Sequence, residues 1–223
     1  MSKLPAHLSA STLPAFMQGA APLGNENVSA EDLQIPRLKV LQQLSPELDD
    51  SKAAYVEGAR AGDILNTVTK EVAKELTVAN LYYEKKYNLW LKRELGGGLV
   101  SSFNTEADAL KFIDDSGLEA KNHDLVETAT HYVVILNDEG KIVGQAAIDM
   151  ISSGLSVSAK WNTNISMIDA PRFGSVWALS STKRSNTKGS WYVFDIAFKG
   201  FLADEATFNE LKRMYEGLAA KAA

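Results

Sequence analysis

The chain has 223 residues, a formal net charge of -5, a hydrophobic share of 45% and a charged share of 23%, the balance of a soluble globular protein that can bury its own core. It contains no cysteine, which excludes thiolate zinc sites, thiol catalysis and disulfide staples. No run approaches the ~20 apolar residues of a membrane span, and the N-terminus lacks the pattern of a secretory signal, so no membrane contact and a cytoplasmic location are expected.

Residues 1–30 are rich in Ala, Ser, Pro and Gly, with dispersed apolar residues, and read as a flexible arm or a short partner-binding segment. Apolar residues gather over 31–44, where Pro36 denies a long helix. A strand is expected over 63–69. Two extended pieces follow at 76–83 and 87–91, with the charged knuckle Glu84-Lys85-Lys86 between them. Gly96-Gly97-Gly98 reads as a hinge or loop, and Asn104-Thr105-Glu106 opens a short helix over 107–115 that stops at Gly117.

Strands over 128–136 and 141–148 flank Asn137-Asp138-Glu139-Gly140, a hairpin signal. The spacing of Leu155, Ala159, Asn162 and Ile165 suits a helix within 152–167. Two more strands, 173–181 and 190–201, are joined by a polar loop over 182–189. The chain closes with an amphipathic helix whose start is acidic and whose apolar face carries Phe208, Leu211, Tyr215 and Leu218.

Strands joined by hairpin-like turns, with short helices inserted, predict an α+β protein built on an antiparallel, OB-like small β-barrel. The expected division is a flexible arm over 1–30, a β-rich nucleic-acid-binding domain over 31–203 and a C-terminal helix packed on it over 204–223.

No catalytic residues are assigned. His7, His123 and His131 have no partner at metal-site spacing, and the pairs Asp49-Asp50, Asp114-Asp115 and Asp204-Glu205 sit at turns or element ends. Gly96-Gly97-Gly98 lacks the Lys-Ser/Thr of a phosphate loop. No metal site and no cofactor are expected.

The informative constellation is basic and aromatic. Over 160–192 the only acid is Asp169, although the whole chain is acidic, and three of the four tryptophans lie there. Cations that meet phosphates beside rings that stack bases are the equipment of a single-strand binder. Alternation over 86–92 puts Lys86, Asn88, Trp90 and Lys92 on one face, with Tyr87, Leu89 and Leu91 on the other. A tryptophan between lysines is expected to be exposed, although a rim ring under its neighbours' alkyl stems is the alternative. In the last strand, alternation gives Tyr192, Phe194, Ile196 and Phe198 to the core and Trp191 to the polar side beside Lys183, Arg184 and Lys188. Trp177 fits either side. A plain solvated hairpin tip would also explain the Lys, Ser, Asn and Gly of that loop.

Ile35-Pro36-Arg37-Leu38-Lys39-Val40-Leu41-Gln42, Ala61-Gly62-Asp63-Ile64-Leu65-Asn66, Lys160-Trp161-Asn162, Pro171-Arg172-Phe173-Gly174 and Lys188-Gly189-Ser190-Trp191-Tyr192 together resemble a family of tailed-phage proteins labelled single-stranded DNA-binding proteins. The resemblance runs from about residue 34 to 201. It implies an accessory of phage DNA replication or recombination, acting in the host cytoplasm. Many bacterial-type single-strand binders end in a flexible acidic tail. This chain ends in a predicted helix, so partner recruitment would fall to the N-terminal arm.

The expectation is a non-enzymatic binder of single-stranded DNA without sequence preference. Trp90, Trp161 and Trp191 would stack bases, and Lys86, Lys92, Lys160, Arg172, Lys183, Arg184 and Lys188 would meet phosphates. Replication proteins and further copies of the chain are compatible partners. The alternative is a structural or assembly protein that makes protein contacts through the arm and the C-terminal helix. The third is a metal-dependent nuclease whose acids gather only in the fold.

Overall fold

The computed structural model describes residues 34–222, together with Gly24 and Asn27. The expected arm over 1–30 therefore lies almost wholly outside the described residues. A small three-stranded sheet comes first: β1 (Leu38–Val40), β2 (Ile64–Asn66) and β3 (Val72–Ala73), all antiparallel. The main sheet has six strands: β4 (Leu76–Leu91), β5 (Leu99–Phe103), β6 (His123–Leu136), β7 (Ile142–Ile151), β8 (Ser175–Asn186) and β9 (Gly189–Phe201). Three α-helices are inserted or appended: α1 (Glu106–Asp115), α2 (Leu155–Ser166) and α3 (Glu205–Ala222). The α+β expectation stands. Among the described residues no helix is long and apolar enough to cross a membrane.

The spine is β4. Its two predicted pieces are one continuous strand paired with β6 from Thr77↔Leu136 to Leu91↔His123. The charged knuckle does not break it, because Lys85 finds Glu127 across the ladder at 3.1 Å and Lys86 reaches Asn104 at 2.6 Å. On its other edge β4 pairs with β8 over Leu76–Ala79 and with β5 over Tyr87–Trp90. Between those partners, near the bulge at Asn80/Tyr82, the turn Arg172–Gly174 packs against the strand instead. The glycine run is a tight turn: Gly96, Gly97 and Gly98 all have positive φ (111°, 70° and 113°), where a side chain would be strained.

Turn chemistry sets the other hairpins. Asn137 Oδ1 accepts the backbone N–H groups of Glu139 and Lys141, closing β6 onto β7. At the β8–β9 tip Asn186 Oδ1 accepts the Lys188 N–H, and Gly189 supplies a φ of 146°. Helix starts are capped where expected: Thr105 accepts from Asp108 N–H for α1, and Asp204 accepts from Thr207 N–H for α3.

The core has two parts. The larger gathers Val78, Val133, Ile148, Met150, Trp161, Trp177, Leu179 and Ile196 around α2. The smaller sets α3, through Leu211 and its flanking Phe208, Met214 and Leu218, against Ala79, Leu81, Val134, Leu136 and Phe173. Leu211 is fully buried, a contribution of roughly 1.5–3 kcal/mol.

The sheet path starts at β7 and ends at β9, and among the described residues no pairing joins those edges. Among the described residues the sheet is therefore not closed into a barrel. A staple crosses the gap instead. At one end Pro36 C=O accepts the Ala147 N–H of β7 at 2.8 Å, and Arg37 forms a parallel bridge to Ala147. At the other, the Gln42 amide binds the backbone of Tyr192 in β9. Leu38 and Val40, between them, pack into the larger core. Gly62 presses on the Tyr192 ring, where an added Cβ would lie 2.8 Å from a ring carbon.

Candidate nucleic-acid interface

The β8–β9 hairpin docks on the turn between β7 and α2. Arg184 and Trp191 are cross-strand partners. Trp191 Nε1–H donates to Ser153 Oγ at 3.0 Å, and the Arg184 guanidinium donates to Ser153 C=O at 3.4 Å and to Ser156 Oγ at 3.2 Å. Lys160 lies one helical turn beyond Ser156, so it projects from the same side of α2. Lys183 and Lys188 are exposed on the hairpin itself. Arg184 and Trp191 thus share one face of the hairpin, beside α2 and its Lys160, whereas Lys183, the cross-strand partner of Tyr192, lies on the other face and Lys188 at the tip.

Among the described residues these cations form no ion pair. The six ion pairs among the described residues use Arg37, Lys39, Lys85, Lys121, Lys141 and Lys199. None uses Lys160, Lys183, Arg184 or Lys188. Trp191 is half-buried and packs against the larger core, so it offers part of a ring rather than a free platform.

The second predicted piece stands apart. Trp90 is 39% exposed while Leu89 is fully buried, as alternation demands. Its neighbours are Leu99 on β5 and Asp124 on β6, not the β8–β9 hairpin. Lys86 is tied to Asn104, Asp124 brings an acid to the ring, and among the described residues no hydrogen bond or ring contact links Trp90 to Trp191. Lys92 lies just past the end of β4, where its backbone N–H donates to Asn122 C=O. Among the described residues no hydrogen bond, ion pair or ring contact joins the two pieces.

Two predicted residues are interior. Trp161 is fully buried, stacked on His131 at 4.7 Å between centroids and edge-on to Trp177 at 6.2 Å. It has no face to give a base. Trp177, which fitted either side, is also core, at 1% exposure. Arg172 points inward: its guanidinium donates to Asn80 Oδ1 at 3.2 Å and Asn162 Oδ1 at 2.9 Å and stands 5.6 Å from the Tyr83 ring. Burial pulls its pKa below the ordinary arginine value, against the opposing effect of Tyr83. Phe198, assigned to the core by alternation, is 49% exposed on the β9 edge.

A directional chain runs inward from Arg172. Because Asn80 Oδ1 accepts from Arg172, its Nδ2 must donate to His131 Nδ1 at 2.9 Å. His131 then carries its proton on Nε2 and donates to Ser158 Oγ at 2.8 Å. Burial, helped by the nearby Arg172 charge, pushes the His131 pKa down to about 3. The histidine is a neutral strut.

Sequence reasoning missed Gln42, Ser153 and Ser156, small polar residues whose partners are distant in the chain, and the tyrosines beside Arg172. The adjacent pair Tyr82-Tyr83 was the available signal for the latter. Among the described residues no three His, Asp or Glu side chains gather as a metal ion would need. The family model described as Pam3 phage gp34-like protein matches residues 7–223, and the chain belongs to that phage protein family. No curated protein and no solved structure matches it.

Proposed function

We propose that this phage protein binds single-stranded DNA without sequence preference, as an accessory of replication or recombination. The observation that supports it most is the group Lys160, Lys183, Arg184 and Lys188 on α2 and the β8–β9 hairpin, which among the described residues has no acidic partner, on a chain of net charge -5. An acidic body that keeps a local cluster of unpaired cations has a local potential suited to a polyanion. Phosphates would lie along the α2 face and the hairpin, with a base against the open part of Trp191. Trp90, on its own arm, would serve as a second contact for a longer strand.

An antiparallel sheet whose edges are tied by the Pro36–Gln42 staple reads as an incomplete OB-like barrel, and strand-binding barrels grip their ligands with hairpins and loops such as β8–β9.

Titrating the protein with oligo-dT at low and high salt tests the proposal. Tryptophan quenching with a steep salt dependence is expected. No quenching at low salt, or binding indifferent to salt, would sink it.

A structural or assembly role is the second reading. It is favoured by Phe198 and Phe201, neighbours at 5.3 Å on the β9 edge with exposures of 49% and 59%. An exposed aromatic pair of this kind suits a protein interface. Light scattering that shows a large homo-oligomer unaffected by oligonucleotide would favour it.

A further inference from the structure

The gap on the β4 edge holds a second feature, one the basic patch does not account for. Arg172 enters that gap, where its guanidinium is part-buried. Two neutral amides, Asn80 and Asn162, supply oxygens but no negative charge, and none of the six ion pairs includes this residue. A cation taken out of water ordinarily has an anion beside it. A guanidinium carries five N–H donors, so donors remain once the two amides are served.

Beside Arg172 lies a cavity of about 340 Å³ walled by Tyr82, Tyr83, Phe173 and Tyr215. The tyrosines meet one another and neighbouring rings: Tyr82 lies 6.3 Å from Tyr215, and Tyr83 lies 5.0 Å from His131. Among the described residues their hydroxyls make no hydrogen bond. One wall comes from β4 and another from α3. The volume is at the small end of the ~300–1,000 Å³ typical of ligand pockets, room for one small molecule and not for a run of strand.

We propose that this cavity binds a single nucleotide, its phosphate on the Arg172 guanidinium and its base against the Tyr82 and Tyr215 rings. The choice of a nucleotide rests on the strand-binding proposal; the unpaired cation and the cavity do not. The nucleotide can be free or the phosphorylated end of a strand, and the two sources share the same chemistry.

Calorimetric titration of the full chain with thymidine 5′-monophosphate, thymidine and inorganic phosphate tests the site. The monophosphate is expected to bind at least tenfold more tightly than thymidine. Arg172→Gln, which keeps one amide donor for the asparagines, should abolish the difference. The double variant Lys183→Glu/Lys188→Glu should leave monophosphate binding unchanged, so loss of oligo-dT binding in that variant is distinguishable from failure of this site. Competition by 5′-phosphorylated against 5′-hydroxyl oligo-dT separates a strand end from a free nucleotide. Should Arg172→Gln fail to fold, Tyr215→Ala, at the exposed side of α3, should still weaken binding severalfold in a folded protein. No detectable monophosphate binding by the folded wild type at millimolar concentration overturns the proposal, as does equal binding by wild type and both cavity variants.

Discussion

The side chain of Gln42 holds the backbone of Tyr192 from both sides: Nε2 donates to the Tyr192 carbonyl at 2.9 Å, and Oε1 accepts the Tyr192 N–H at 2.9 Å. One amide thereby replaces a neighbouring strand for one residue of the β9 edge and ties β9 to the staple that reaches β7. Gln42→Ala removes both bonds together with the Nε2 bond to the Val40 carbonyl at 3.2 Å, and the part-buried backbone groups recover only some of their hydration. A loss of about 1–3 kcal/mol in urea unfolding is expected. Gln42→Glu can still accept from the N–H but cannot donate to the carbonyl while ionised, so it should regain stability as pH falls through the carboxylate range.

His131 makes stability pH-dependent in a defined direction. Its pKa is about 3 in the fold against an ordinary 6.5, because burial and Arg172 both oppose its charge. Above pH 6.5 neither the folded nor the unfolded chain holds the proton, and the full stability is present. Below it the unfolded chain takes a proton that the folded chain refuses, so stability falls with pH down to about 3. The slope from this group is about 1.4 kcal/mol per pH unit. Chemical denaturation of wild type and His131→Gln between pH 7 and 5 should give curves that converge as pH falls; parallel curves would refute the assignment.

Local patterning made much of this fold legible. Asn137-Asp138-Glu139-Gly140 announced one hairpin, and the acidic start and apolar face of 204–222 announced α3; the loop expected over 182–189 marked a second hairpin, but β8 runs on to Asn186 and leaves only residues 187–188 as the turn. The helix near 152–167 was legible, but its stripe was not. The buried side carries Val157, Trp161 and Ile165 at i, i+4 and i+8, whereas the expected Leu155, Ala159, Asn162 and Ile165 spacing shares only Ile165 with it and includes exposed Ala159. That error turned Trp161 outward. Arg172 misled for a different reason: its amide partners, Asn80 and Asn162, come from distant strand and helix positions, and a cation's burial has no sequence pattern. The short strand β5 hid behind the glycine run because its pairing depends on β4.

The four tryptophans should separate cleanly in mutagenesis. Trp161→Ala empties a fully buried site stacked on His131, and a loss of about 3–5 kcal/mol is expected. Trp161→Phe should cost less, since it keeps a ring and removes an indole N–H that has no acceptor among the described residues. Trp90→Ala, at 39% exposure, should change stability little. If Trp90 stacks a base, the same change weakens oligo-dT binding by roughly 1–3 kcal/mol. Paired thermal melts and binding titrations distinguish a core ring from a contact ring at each position.

The salt dependence of binding counts the cations that meet phosphates. Each phosphate contact on a single strand contributes about -0.7 to the slope of log K against log salt. Lys183 and Lys188 are exposed on the β8–β9 hairpin and in no ion pair, so replacing both by Glu removes two contacts without disturbing the Arg184–Ser156 and Trp191–Ser153 bonds that dock it. The slope should become shallower by about 1.4, with melting temperature unchanged. Replacing Lys85, already paired with Glu127, should leave the slope where it was. A slope altered equally by both changes would mean that the protein meets DNA through its general charge and not through the hairpin end.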